Sequence, residues 1–139
     1  MPLTGTKPKA EHRHRIKAPH EWQEIPHIPF KRGLKLPPLQ WNGLPWSRRT
    51  RDWWRVISRM PHCILWDEAD WGFALDTAYV HAAFCIDVRH ANELRQREKI
   101  MGTTMDARRD LRIRYIEPMP EEERKGVTAI QEYRARLGQ

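Results

Sequence analysis

The sequence predicts an all-α protein carried behind an extended, proline-rich arm. Three observations lead there. Helical periodicity begins abruptly at residue 46, and no stretch shows the sustained alternation of a half-buried strand. Eight of the eleven prolines fall within residues 1–45, where no period of 3.6 or 2 persists between them. The expected architecture is a short N-terminal helix, a long central helix forming a hairpin-like oligomerisation core, and one or two short C-terminal helices. Three segments follow: an arm over residues 1–45, a helical domain over 46–117 and a C-terminal segment over 118–139.

The arm favours extended or polyproline-like chain over packed secondary structure. Residues 1–20 read as a disordered leader. Trp22, Ile25, Ile28, Phe30, Leu36, Leu39 and Trp41 are too apolar for a purely solvating tail, so part of the arm should lie across a neighbouring surface, such as that of another subunit.

The first helix is expected over SRRTRDWWRVISRM, residues 47–60, with Ser47 as N-cap and Pro61 as its stop. With Trp53 placed at zero on a helical wheel, Val56, Ile57 and Met60 fall within about 60° and form an apolar stripe. Arg48, Arg51, Arg55 and Arg59 fall between roughly 160° and 240°, an opposite, cationic ridge.

The central helix should start near Asp67, whose neighbours Glu68 and Asp70 suit the positive end of the helix dipole, and should run some 35 residues to a cap at Gly102. A break around Asp87 is compatible with the pattern. Its first half is apolar nearly all round: Phe73, Val80 and Phe84 on one side, with Leu75, Ala78, Tyr79, Ala82 and Ile86 over the rest. So few helices cannot cover such a surface within one chain, which points to self-association through Phe73, Leu75, Tyr79, Val80, Ala82, Phe84 and Ile86. A third helix is expected in TTMDARRDLRIRYI, followed by a charged linker, EEERKG, and a last short helix capped by Thr128.

Charge narrows the function. Residues 1–60 hold 13 Lys and Arg against 4 acids, while residues 61–139 hold 12 against 14. Positive charge concentrated at one end of a chain implies a polyanionic partner for that end, nucleic acid above all. The candidate contacts are Arg48, Arg49, Arg51, Arg55 and Arg59 on the helix and Lys31, Arg32 and Lys35 in the arm. Lys7, Lys9, Arg13, Arg15 and Lys17 could follow DNA further along the arm, and Arg108, Arg109, Arg112 and Arg114 form a second basic concentration. With two cysteines, a disulfide scaffold is not expected. No apolar run is long enough to span a membrane, and no secretory signal is legible.

Catalytic chemistry finds no foothold in the residues. His62, Cys63, His81 and Cys85 contain an i, i+4 pair but no recognisable set of zinc ligands, so no metal is expected. Asp67, Glu68, Asp70 and Asp76 read as a helix start plus a surface carboxylate. Neither a phosphate loop nor a nucleophile elbow is present. The expectation is a non-enzyme without a cofactor.

The succession WSRRTRDWWRVISRMPHCILWDEADWGFALDTAYVHAAF and NELRQREKIMGTTMDARRDLRIRY resembles small terminase subunits of tailed phages that infect actinobacteria. The matching pieces are Trp53-Trp54 before the Ser58 to Pro61 turn, Asp70-Trp71, Glu93-Leu94-Arg95, and Gly102-Thr103-Thr104 with Arg108, Leu111 and Arg112. AIQEYRARLG also resembles the ending of such proteins, and the likeness spans residues 41–139. The resemblance implies a homo-oligomeric ring in the host cell cytoplasm that binds double-stranded viral DNA and delivers it to the large terminase subunit. It implies no catalytic residues; the large-subunit contact is expected in residues 118–139 from their position as a detachable short helix. A clear helix-turn-helix, common in better-known small terminases, is missing. The alternative is a head-completion or connector-type assembly protein, with a metal-dependent nuclease a distant third.

Overall fold

The computed structural model describes residues 21–138. The basic positions Lys7 to Lys17, and the leader assigned to residues 1–20, lie outside them. Among the described residues about 60% are helical, in five α-helices and two 3-10 turns, accompanied by one short two-stranded sheet. The elements run β1 (Gln23–Pro26), α1 (Arg48–Ile57), α2 (Glu68–Ile86), α3 (Ala91–Met101), α4 (Met105–Asp110), β2 (Ile113–Ile116) and α5 (Glu121–Leu137), with 3-10 turns at Pro61–Leu65 and Val88–His90.

Helix α1 starts as expected, the Ser47 side chain accepting from the Thr50 amide at 3.2 Å. Its buried face differs from the expected one by about one residue. Thr50, Trp54 and Ile57 face the core, whereas Trp53 sits on the flank and Val56 is exposed. The wheel centred on Trp53 therefore needs correction: the mate of α1 is the small-residue face of α2, which admits Trp54 and leaves Trp53 at the rim. On α2 that face is Trp71, Ala74, Ala78 and Ala82, and Ala74 and Ala78 are fully buried. Alanines at that spacing let two helix backbones approach closely, and the large indoles of Trp46, Trp54 and Trp71 fill the edges.

The central helix is broken at Asp87, where the pattern allowed a break, and does not run on as a single helix to Gly102. It ends at Ile86, and Asp87 adopts an extended conformation (φ −137°, ψ 112°). The Asp87 carboxylate accepts from the Arg89 amide at 3.0 Å and pairs with the Arg89 guanidinium at 2.8 Å. Such local side-chain bonding competes with helix continuation. Helix α3 then packs back on α2 and stops at Gly102, whose φ of 72° suits its place as C-cap.

A second correction concerns RIRYI, expected as helix. Helix α4 lasts six residues, Arg112 turns the chain with φ 60°, and Ile113–Ile116 forms β2. Strand β2 pairs in parallel with β1 in the arm, Ile25 opposite Tyr115. The protein is thus mostly helical but not all-α. Four residues are too few to display a period, and their partner strand lies far away in sequence. At the other end, EEERKG is not a linker: it forms the first turns of the 17-residue α5.

Candidate nucleic-acid interface

The arm does lie across a surface, and the surface is its own α1. Three hydrogen bonds pin it. The Phe30 amide donates to the Arg59 carbonyl at 3.0 Å, the Trp54 indole N–H to the Leu34 carbonyl at 2.9 Å, and the Trp46 indole N–H to the Pro37 carbonyl at 2.8 Å. Phe30 also stacks on Trp71 with ring centroids 6.1 Å apart. Gly33 makes the approach possible, because a Cβ there would stand 2.5 Å from the Ser58 carbonyl oxygen. The indoles therefore serve two purposes at once, apolar filling for the core and donors for the arm backbone beyond β1, where the β-ladder has ended.

Between arm and helix runs an open cleft of about 590 Å³. Lys31, Lys35, Arg51, Arg55 and Arg59 line it, with Phe30, Leu34 and Trp54 beneath, and no acidic residue is among the lining side chains. Five of the eight cations expected to contact nucleic acid thus converge from two separate segments. Arg32 is exposed outside the lining, and Arg49 faces the α2 side, close enough to His81 to act on its charge. Arg48 reaches Asp52 at 3.8 Å and Arg55 reaches the same carboxylate at 3.6 Å. These are solvent-exposed pairs that contribute little and leave both guanidinia accessible.

The second basic concentration has a different role. Arg114 pairs with Glu24 across the sheet, and Arg112 and Arg114 lie over the Trp22 ring at 5.9 and 5.7 Å. Arg108 donates to the Gly102 and Thr103 carbonyls at 3.2 and 3.1 Å and covers the Tyr115 ring. Three of its four arginines hold the arm and the α3–α4 corner together.

The apolar α2 residues expected to mediate assembly are dispersed around that helix. Ala82 is buried inside the chain, Tyr79 packs against Trp46 at 4.9 Å, and Phe73 lies under the Arg97 guanidinium at 5.1 Å. Leu75, Val80 and Phe84 are half-buried. Ile86, 89% exposed, ends the helix beside Val88, 73% exposed.

The histidines and carboxylates have local partners. Asp67 and Asp70 form a reciprocal capping box, each side chain accepting from the other's amide at 3.0 Å. His62 is buried; its Nε2–H donates to the Met101 carbonyl at 2.7 Å, so its Nδ1 accepts from the Tyr115 hydroxyl at 2.6 Å. This junction of the Pro61–Leu65 turn, α3 and β2 involves residues far apart in sequence, and no local spacing announces it. Burial holds the His62 pKa below its ordinary value. The Ser47 hydroxyl donates to Thr50, leaving the Thr50 hydroxyl proton for His81 Nδ1 at 2.9 Å. Burial, with Arg49 nearby, lowers the His81 pKa to about 4. Burial raises Cys63 to about 12, an inert thiol. His62 and His81 therefore sit in two separate hydrogen-bonded junctions, and no group of three or more His, Cys, Asp or Glu side chains suited to a metal occurs among the described residues.

These features define a small, mostly helical protein that presents a cationic cleft built from an arm and a helix. A family model described as phage terminase small subunit matches residues 3–138, and the chain belongs to that family. The match takes in the arm, which the resemblance read from residues 41–139 did not. No curated protein and no solved structure matches the chain. No described helix is long and apolar enough to cross a membrane.

Proposed function

We propose that this protein is a DNA-packaging adaptor of a tailed phage, with the actinobacterial host implied by the resemblance. It binds double-stranded viral DNA, assembles into a homo-oligomeric ring in the host cytoplasm and presents the DNA to the large terminase subunit. The ATPase and nuclease of that subunit do the chemistry, and this chain supplies no catalytic group. Membership of the terminase small subunit family supports the packaging role. The observation that carries the DNA reading is the convergence of Lys31, Lys35, Arg51, Arg55 and Arg59 on one acid-free cleft.

A cleft of that kind suits a phosphate backbone. It is open, and its cations are long side chains carried on α1 and on the pinned arm. Phosphate contacts position a duplex without reading its sequence. Arg48 and Arg32, exposed outside the lining, extend the positive surface, and Arg49 adds charge on the α2 side. Residues 46–117, joined at the cleft by Lys31 and Lys35 of the arm, form the DNA-binding and oligomerisation unit. The ring is built through the α2 side chains left outside the buried core, Leu75, Val80, Phe84 and Ile86, with the partly covered Phe73 and Tyr79; Ala82 is used up within the protomer.

Residues 118–139 contact the large subunit. All described side chains of α5 are exposed, and Ile130, Tyr133 and Leu137 form a stripe at helical spacing that is 55%, 65% and 70% exposed. An amphipathic helix of this type is suited to a groove on a partner. Stimulation of large-subunit ATP hydrolysis by the protein together with DNA is the expected result. A protein that assembles but neither binds DNA nor alters that activity would belong to the connector-type alternative instead.

A further inference from the structure

Seven tryptophans invite the question of what each is for. Six are engaged. Trp46, Trp53 and Trp54 donate hydrogen bonds to Pro37, Glu98 and Leu34. Trp66 and Trp71 pack edge-to-face at 4.9 Å, and Trp22 lies under two guanidinia. Trp41 alone has neither a ring contact nor a side-chain hydrogen bond among the described residues, and it is 81% exposed.

Its display is held by a firm turn. The Gln40 amide donates to the Leu44 carbonyl at 2.9 Å and the Gly43 amide donates to the Gln40 carbonyl at 2.9 Å. The Asn42 side chain accepts from the Leu44 amide at 3.1 Å, the Gln40 side chain donates to the Pro45 carbonyl at 3.2 Å, and Gly43 supplies the left-handed residue at φ 78°. The base of the loop is clamped by the Trp46 indole on Pro37. Leu39 and Leu44 of the same loop are about half exposed as well. Holding so large an apolar ring in water on an ordered loop costs solvation free energy with no intramolecular return.

The surroundings indicate what covers it. The clamped loop lies between Lys35 and Arg48 in the chain, and between the acids Glu24 and Asp52 the sequence contains six Lys and Arg. A knob in that setting repels another basic surface and selects a polyanion. We propose that Trp41 is an aromatic wedge that enters duplex DNA at a base step, while the neighbouring cations hold the phosphates. This rests on the DNA-binding reading above and deepens it. An indole unstacks adjacent bases and offers them its own face, so it bends the duplex where the phosphate contacts alone would only position it.

The test compares the full-length protein with Trp41→Ala and Trp41→Phe, using a perfect duplex and the same duplex with one abasic site. The abasic site removes the base that the wedge must displace. Wild type and Trp41→Phe are expected to prefer the abasic duplex by about tenfold, the scale of one base–aromatic stack. Trp41→Ala is expected to lose that preference with its salt dependence and thermal stability unchanged, since the ring carries no charge and no internal contact. Equal behaviour of wild type and Trp41→Ala on both duplexes overturns the wedge while leaving DNA binding intact. A Trp41→Ala protein that keeps the preference but no longer assembles overturns it too, and assigns the turn to a protein contact. A wild type that binds neither duplex defeats the packaging reading itself.

Discussion

Replacing Gly33 by alanine isolates the seat of the arm on α1. The added Cβ would stand 2.5 Å from the Ser58 carbonyl oxygen and 3.1 Å from the Ser58 Cβ, both on the helix end and unable to swing away as a long side chain could. The arm must lift, and lifting breaks the bond from the Phe30 amide to Arg59 and the bond from the Trp54 indole to Leu34. Trp54 is 5% exposed, so its N–H would be left without a partner or would drag water into the core. Losing one ordinary hydrogen bond and stranding one buried donor costs roughly 2–4 kcal/mol. For a chain of this size that lowers the thermal midpoint by roughly 5–12 °C. Gly43→Ala is the control: it has open space around its Cβ and meets only the left-handed backbone penalty, about 1 kcal/mol. Calorimetry gives the midpoints, and hydrogen exchange at the Phe30 amide reports the arm directly. A Gly33→Ala protein as stable as Gly43→Ala, with the Phe30 amide still protected, would refute the pinning of the arm.

Three further outcomes follow from the same geometry. His81 is folded in neutral form with a pKa near 4 against an ordinary 6.5, so stability is full above pH 6.5 and declines as pH falls through that window, by on the order of 3 kcal/mol in total. His62 acts in the same direction; denaturant titrations across pH measure the loss, and His81→Gln should flatten part of it. Replacing Ile86 and Val88 together by aspartate should leave the protomer's melting unchanged, because both are exposed, yet lower the native mass seen by light scattering if the α2 end is buried between subunits. Substituting Ile130, Tyr133 and Leu137 by serine should abolish stimulation of the large subunit's ATP hydrolysis while DNA affinity persists; unaltered stimulation would remove α5 from that contact.

Much of this was written locally in the chain. Ser47, Asp67 and Gly102 mark helix boundaries because caps act through neighbours a few residues away. The cationic face of α1 was equally plain from the spacing of Arg51, Arg55 and Arg59. The sequence did not reveal which neighbour would claim each face. Trp53 and Trp54 are adjacent and chemically identical, and only the alanine face of α2 decides that Trp54 goes in. The strand at Ile113–Ile116 exists because the arm supplies its partner, a contact across most of the chain. Gly33 belongs to the same category: a glycine among lysines and leucines reads as a loop residue until the Ser58 carbonyl is seen beside it. For the same reason Arg108, Arg112 and Arg114, which share the composition of a binding surface, turned out to be internal ties.

The central claim is that the cleft between arm and α1 holds a DNA backbone, and its most direct test is binding to duplex DNA across a salt series. If each cleft cation neutralises one phosphate, the five give a log–log slope of about −4.5 per protomer. Affinity should fall several hundredfold between about 50 and 200 mM salt. Replacing Arg51, Arg55 and Arg59 together by alanine should make that slope shallower by about 2.7 while the native mass stays as in wild type. A flat salt dependence in the wild type, or an unchanged slope in the triple variant, would contradict the account.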